Sequence, residues 1–172
     1  MNLYLRLIWV WLRARCGPPI RLGDTIELPL TVWPNDLDLN GHMNNGRYMT
    51  IADLALVAYM TRAGFVGPAL ARGWRPMLGG AFISFRRGLK PFSRYRLRFG
   101  VVCWDPRWTY MRFEFVDRGA VMATGYLKGG IVGRQGIAGT AEMCEALGVP
   151  PESPSFPPAV LAWLEADRLI RA

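Results

Sequence analysis

Apolar and polar positions alternate along much of the second half of the chain, and this period of two predicts β-strands. In the clearest case Tyr95, Leu97 and Phe99 alternate with Arg96 and Arg98. Asp-Pro and Gly residues between the runs are typical of turns. The alternation predicts strands over residues 25–33, 81–89, 94–104, 109–117 and 121–132. Glycines at 125, 129 and 130 predict a bulge or a close backbone approach in the last strand.

A helical period replaces this alternation between residues 45 and 64. Apolar residues recur at spacings of three and four, and the segment is rich in alanine and free of proline. Asn44 or Asn45 is suited to cap its start and Gly64 its end, with Gly67 and Pro68 marking the exit. Shorter helices are predicted over residues 140–147 and 159–170, separated by a proline-rich linker.

One strand, a long helix and then a series of hairpin-connected strands predict an α+β fold, with an antiparallel sheet wrapped around the helix. Ala52, Ala55 and Ala58 on the helix would let the sheet approach closely. The chain length suits a single domain. We expect residues 1–20 to form an N-terminal apolar and basic segment, and residues 21–172 to form one domain with a C-terminal helical extension.

The first fifteen residues are apolar but contain Arg6, Arg13 and Arg15. The apolar run is too short to span a bilayer, and it lacks the order of charges and the cleavage site of a secretory signal. Trp9 and Trp11 would suit a membrane interface. Two interpretations remain open: a short helix packed on the domain, or peripheral contact with the inner face of a membrane.

Charge and cysteine content narrow the possible partners. The net charge is +8, which suits an anionic partner such as nucleic acid, an anionic membrane or coenzyme A. No run of five or six like charges exists, so a nucleic-acid-binding arm is not expected.

Cys16, Cys103 and Cys144 have no CxxC spacing and His42 is the single histidine, so neither a disulfide framework nor a His-based metal centre is expected. A cytoplasmic protein fits these features.

The candidate chemistry lies in the polar loop before the long helix. It holds the carboxylates of Asp36 and Asp38, followed by Asn40, His42 and Asn44. A helix start offers free N–H groups that can stabilise negative charge on a carbonyl oxygen, while a carboxylate can attack the carbonyl or activate water. Acyl transfer is therefore plausible, although Asn, Asp and Gly are also ordinary turn and cap residues.

The stretch WPNDLDLNGHMNNGRY, residues 33–48, closely resembles the hotdog-fold thioesterases. It looks most like the thioesterase-superfamily-member-6-like proteins and the bacterial 4-hydroxybenzoyl-CoA thioesterase type, and it also resembles the plant acyl-ACP thioesterases. The resemblance covers roughly residues 25–132 and includes Ala52-Asp53, Phe85-Arg86-Arg87, Pro91-Phe92 and Trp104-Asp105.

This resemblance implies a catalytic role for Asp38 as nucleophile or general base, and for the backbone N–H of Asn45 as the donor to the thioester carbonyl. Asn40 and His42 match the Asn and His of the acyl-ACP type. The acid that this type carries on the following strand corresponds to Gly88 here, and its Cys corresponds to Leu89. Both departures count against importing that version of the mechanism.

The resemblance further implies hydrolysis of an acyl-CoA or acyl-carrier-protein thioester. It implies a homodimer or homotetramer. It implies no metal, and no cofactor either, because coenzyme A is part of the substrate. Candidate substrate-binding residues are Asn44, Tyr48, Ser84, Arg86 and Arg87. Arg47, Arg86 and Arg87 could meet the phosphates of coenzyme A. The alternative is a non-catalytic, acyl-thioester-binding or membrane-associated protein of the same fold.

Overall fold

Six antiparallel strands form one sheet in the computed structural model, which describes residues 3–170. The strand order is β1-β3-β4-β5-β2, and β6 pairs with β5. The strands are β1 (Thr25–Thr31), β2 (Arg75–Phe85), β3 (Arg94–Trp104), β4 (Thr109–Asp117), β5 (Ala120–Gly133) and β6 (Gly136–Ala138). The helices are α1 (Leu3–Cys16), α2 (Asn45–Arg62), α3 (Val66–Arg72), α4 (Thr140–Leu147) and α5 (Pro158–Ile170). A short 3-10 turn, Pro34–Asp36, precedes α2.

The sheet curls around α2, as the alternation and the helical period predicted. Ala52, Ala55 and Ala58 are fully buried, so the strands approach the helix closely along this face. Tyr48 and Tyr59 fill the two ends of the interface, where their rings contact Phe115 and Phe99 respectively. The α+β class and the wrapped arrangement are therefore confirmed.

Strands β3 and β4 and helix α4 have the predicted limits, whereas β2 begins and ends earlier than predicted. Pairing with β5 stops after Phe85 because the backbone N–H groups of Arg86 and Arg87 both donate to the carbonyl of Met122. At the other end β2 includes Pro76, which is compatible with its position at the edge of the sheet.

The prediction that Gly67 and Pro68 lie in an irregular exit segment is wrong, since both lie in α3. They occupy its first turn, where a missing backbone N–H breaks no helical hydrogen bond. Strand β1 ends at Thr31 rather than at residue 33, before Pro34 opens the 3-10 turn. Strand β6 was not predicted, because three residues are too few to display an alternation.

Glycines in β2 and β5 allow aromatic rings to lie against the sheet. A Cβ atom at Gly79 would lie 2.4 Å from the ring of Trp108, and one at Gly130 would lie 2.8 Å from it. At Gly125 the ring of Phe113 would be 2.4 Å away. The predicted close approach is confirmed, and the register of β2 against β5 also shifts between Leu78 and Gly80.

The C-terminal helix covers the outer face of the sheet. Val160 of α5 is fully buried with Cys103, Tyr110 and Tyr126 in a second apolar cluster. Lys128 of β5 forms an ion pair with Asp167 of α5. The C-terminal extension is therefore packed on the domain.

Helix α1 packs against α2 and turns Val10 and Ala14 inward. The first interpretation of the N-terminal segment, a short helix packed on the domain, therefore holds for the inner face of α1. No single helix among residues 3–170 has the length and apolar character to cross a membrane, although α2 and α3 pass that test as a pair bent by 88°.

A buried ion pair fixes α1 to the rest of the domain. Arg6 is 2% exposed and Asp36 is 1% exposed. The guanidinium donates to both carboxylate oxygens of Asp36, at 3.1 and 2.5 Å, and to the carbonyl of Thr31 at 3.3 Å. Two buried charges are tolerated when each has a partner, and removal of one leaves the other uncompensated.

We expect Arg6→Met to lower the free energy of unfolding by about 3–5 kcal/mol, because the Asp36 carboxylate would lose its closest buried partner. Arg13→Met, on the exposed side of the same helix, should change it by at most about 0.5 kcal/mol. Denaturant titration of both variants measures the difference. Equal effects of the two substitutions would contradict a dominant role for the buried pair.

Candidate active site

The loop from residue 37 to residue 43 is a closed hairpin. Leu37 pairs with Met43, and the N–H of Asp38 donates to the carbonyl of His42 at 2.9 Å. The N–H of Gly41 returns to the carbonyl of Asp38 at 3.1 Å, and Gly41 has a φ of 71°. The backbone conformation and these bonds hold Asp38 at the base of the hairpin.

Asp36 connects this hairpin to three neighbouring elements. Its carboxylate accepts the N–H of Trp33 at 2.8 Å, binds Arg6 of α1, and lies 3.5 Å from Nε of Arg47 in α2. Its carbonyl accepts the N–H of Asn44 at 2.8 Å, just before α2 begins. Asp36 therefore braces the loop.

Asp38 is half-buried and accepts the N–H of Asn40 at 2.9 Å on Oδ1. Its charge acts on the hydroxyl of Tyr48, which is buried one turn into α2. Burial raises the pKa of Tyr48 above its usual value, the hydrogen bond from the N–H of Leu89 lowers it in part, and the Asp38 carboxylate raises it further. The Tyr48 phenol thus stays protonated beside the candidate catalytic carboxylate.

Helix α2 begins at the end of the hairpin. The side chain of Asn44 caps it by accepting the N–H of Gly46 at 2.9 Å, which decides between the two predicted caps. Asn45 is exposed, and its backbone N–H has no acceptor among residues 3–170. Such a free N–H at a helix start can donate to a carbonyl oxygen and stabilise the negative charge that develops on it.

His42 and Gly88 are in contact. A Cβ atom at residue 88 would lie 2.9 Å from both Cγ and Cδ2 of His42, so the imidazole occupies the space that a side chain at this position needs. His42 is exposed on its other side, and its ring forms no hydrogen bond within the described part of the chain. The residue aligned with the acid of the acyl-ACP type is therefore adjacent to the loop, but contributes no carboxylate.

The structure brings only some of the predicted substrate-binding residues together. Tyr48 and Asn44 lie at the start of α2. Phe85, at the end of β2, packs against Tyr48, and the centroids of the two rings are 5.1 Å apart. Ser84 precedes Phe85 and therefore points to the opposite face of the strand. Within residues 3–170, Ser84 forms no hydrogen bond with Asp38. Its role in substrate binding stays a prediction.

The arginines near the loop differ in their surroundings. Arg47 donates to the carbonyl of Asn35 at 3.0 Å and pairs with Asp36, so it is part of the brace. Arg86 and Arg87 are exposed just beyond β2. Asn40 is exposed in the hairpin, where only its backbone contacts Asp38. The roles predicted for Asn40, Arg86 and Arg87 remain predictions.

Sequence reasoning missed two features of this region. Arg6 lies thirty residues from Asp36 in the chain, and nothing in the local pattern marks it as a partner of the loop. An apolar pocket also lies between the C-terminal half of α2 and the sheet, and its lining is drawn from distant segments. Residues that line it include Leu56, Met60, Met77, Met111 and Met143.

Within residues 3–170, no three His, Cys, Asp or Glu side chains lie close enough together to hold a metal ion.

Comparison with known proteins identifies the family and the fold. Residues 32–164 match the model of the thioesterase-like superfamily. Protein THEM6 of Xenopus laevis is 29% identical over 169 residues, covering 94% of this chain and 78% of the relative. Protein THEM6 of Danio rerio is 31% identical over 137 residues, covering 78% of this chain and 65% of the relative.

The solved structure of YbaW of Escherichia coli, described as a probable thioesterase, superposes with a TM-score of 0.66 at 16% identity, covering 71% of this chain and 96% of that one. Such a likeness establishes the fold, while the family match covers most of the chain, including the hairpin and α2. The chain therefore belongs to the thioesterase-like superfamily and has the hotdog fold.

Proposed function

We propose that this protein hydrolyses an acyl-CoA-type thioester to a carboxylic acid and a thiol. The observation that carries the proposal is the joint placement of the Asp38 carboxylate in a braced hairpin and a free backbone N–H at Asn45, where the hairpin leads into α2. Membership of the thioesterase-like superfamily supports thioester hydrolysis in general.

In the proposed reaction the N–H of Asn45 donates to the thioester carbonyl oxygen and stabilises its negative charge as the tetrahedral intermediate forms. Asp38 acts in one of two ways. It attacks the carbonyl carbon to give an acyl anhydride that water then cleaves, or it takes a proton from the attacking water. In both routes the carbon–sulfur bond breaks and the thiolate leaves and is protonated. The reaction draws on no metal or cofactor, and coenzyme A enters as part of the substrate.

The region around the hairpin provides features suited to the thiol portion of such a substrate. Arg86 and Arg87 are exposed beyond the end of β2, where their guanidinium groups are available to phosphate oxygens. The net charge of +8 favours approach of an anionic substrate, whether coenzyme A or a carrier protein supplies the thiol.

The proposal includes a homodimer formed through β2, as an isolated pair or within a homotetramer. Strand β2 is an edge strand of eleven residues with Leu78, Phe82 and Phe85 exposed, and such an edge is suited to pairing with a second strand. Antiparallel pairing of two copies would bring the start of one β2 beside the end of the other. The apolar pocket at Met77 would then lie near the partner's loop and accept the acyl group.

A second function is favoured by one observation. The position of the acid in acyl-ACP-type relatives is Gly88, and the His42 ring covers it. A protein that binds acyl thioesters without cleaving them would need no acid there. Assay of thiol release over a panel of acyl-CoAs separates the two functions, because binding without release of thiol excludes hydrolysis.

We expect Asp38→Asn to lower kcat by about 10²–10⁴-fold, since the amide is neither a nucleophile nor a base, while the dimer persists. Thiol release and light scattering measure the two properties. The matched control is Asp24→Asn, a change in an exposed turn that preserves the acceptor for the N–H of Arg21. Full activity of Asp38→Asn, with the control unchanged, would reject the role assigned to Asp38.

We expect Phe82→Lys to convert the dimer to a monomer, because it places like charges close together where two β2 strands pair. Light scattering measures the mass, and thiol release should fall with it if the site is completed across the dimer. Leu70→Lys, on the exposed side of α3, is the control for an added charge. A dimer that survives Phe82→Lys unchanged would contradict pairing through β2.

A further inference from the structure

Helix α1 has an apolar face that is exposed in the described part of the chain, residues 3–170. Tyr4, Leu5, Ile8 and Leu12 are each more than half exposed, and Trp11 is 37% exposed beside them. These residues follow a helical spacing and form a continuous stripe, here named the α1 face. The inner side of the same helix holds Arg6, which is buried. An amphipathic helix usually buries its apolar residues and exposes its charged ones. Helix α1 departs from this arrangement, because it exposes these apolar residues and buries Arg6.

A basic groove lies directly beside the α1 face, between α1 and the ends of β1, β3 and β4. Six arginines line it together with the rings of Trp9 and Trp33, and its described lining includes no acidic residue. One of them, Arg6, is buried in its ion pair with Asp36. The other five are Arg13, Arg94, Arg96, Arg98 and Arg118. Trp9 belongs to the outward side of α1 and also lines the groove, so the apolar and basic surfaces are continuous.

Nearby acids neutralise part of this charge. Glu27 pairs with Arg96 at 3.6 Å and with Arg98 at 2.7 Å, and Asp117 lies 3.8 Å from Arg118. Arg94 and Arg13 form no ion pair with any of residues 3–170, and Arg13 lies 4.8 Å from the centre of the Trp9 ring. The groove therefore retains positive charge on the side that borders α1.

We propose that the α1 face and the basic groove dock the protein on the surface of an anionic lipid bilayer. Apolar and tryptophan side chains of α1 enter the interface, while the groove arginines bind lipid phosphates. Helix α1 has fourteen residues, so it lies along the surface rather than across the membrane. The inner side of α1 keeps its contacts with α2 and Asp36, so docking requires no unfolding of the domain.

A second copy of the chain is a poorer occupant of this surface. A two-fold symmetric contact through the α1 face would bring the groove arginines of both copies towards each other, and like charges in an interface oppose association. An anionic bilayer offers complementary charge and apolar depth together. This docking is independent of the proposed hydrolysis, and it gives a physical basis to the expectation of a cytoplasmic protein at the inner membrane face.

Flotation of the full-length protein with lipid vesicles tests the proposal. Vesicles of phosphatidylcholine and phosphatidylglycerol in equal parts should carry the protein, whereas vesicles of phosphatidylcholine alone should carry much less. The double variant Arg13→Gln with Arg94→Gln should lower the partition coefficient on anionic vesicles about thirtyfold. The double variant Ile8→Gln with Leu12→Gln should lower it about tenfold or more.

The matched control is Arg134→Gln with Arg168→Gln, which removes the same charge from exposed positions outside the groove. Its binding should equal that of the unmodified protein. Unmodified protein that stays unbound with anionic vesicles overturns the proposal, as does equal loss of binding in the control and groove variants. If the α1-face variant instead reduces the mass measured by light scattering, the face is a contact between copies and the membrane assignment is wrong.

Discussion

The burial of one carboxylate constrains this molecule more than any other single contact. Asp36 carries its charge in the interior, and its stability there depends on Arg6, Arg47 and the N–H of Trp33. These partners come from α1, from α2 and from the segment after β1. Because a buried charge must keep its partners, the three segments are held in one arrangement. The hairpin that carries Asp38 begins directly after this point, so its position follows from the same requirement.

The elements that the sequence predicted correctly are those in which the alternation of apolar and polar residues is visible within the element itself. Strands β3 and β4 alternate apolar residues with arginine or glutamate, and their limits were predicted to the residue. The first half of β2 shows no such alternation, because Gly79 and Gly80 lie beneath the Trp108 and Trp163 rings, which come from other segments. The packing of this half of the strand therefore depends on residues far away in the chain.

The candidate site shows the same division. Asp38 and the start of α2 were identified from a contiguous motif, and Asn44 proved to be the cap. The partner of Asp36 could not be inferred, since an arginine in an apolar N-terminal helix suggests a membrane-facing charge rather than a buried one. The apolar pocket was also beyond prediction, because its methionines come from α2, from strands β2 and β4 and from α4, and share no local pattern.

The contact between His42 and Gly88 has a consequence for how this site can change over evolutionary time. With the imidazole in its present position, any side chain at residue 88 displaces it, so an acid can appear there only if the ring first moves or is replaced. Conversely, loss of the imidazole alone leaves a gap over a bare glycine backbone. The two positions are therefore epistatic, and the route from this arrangement to one with a second carboxylate passes through intermediates that have lost the present packing.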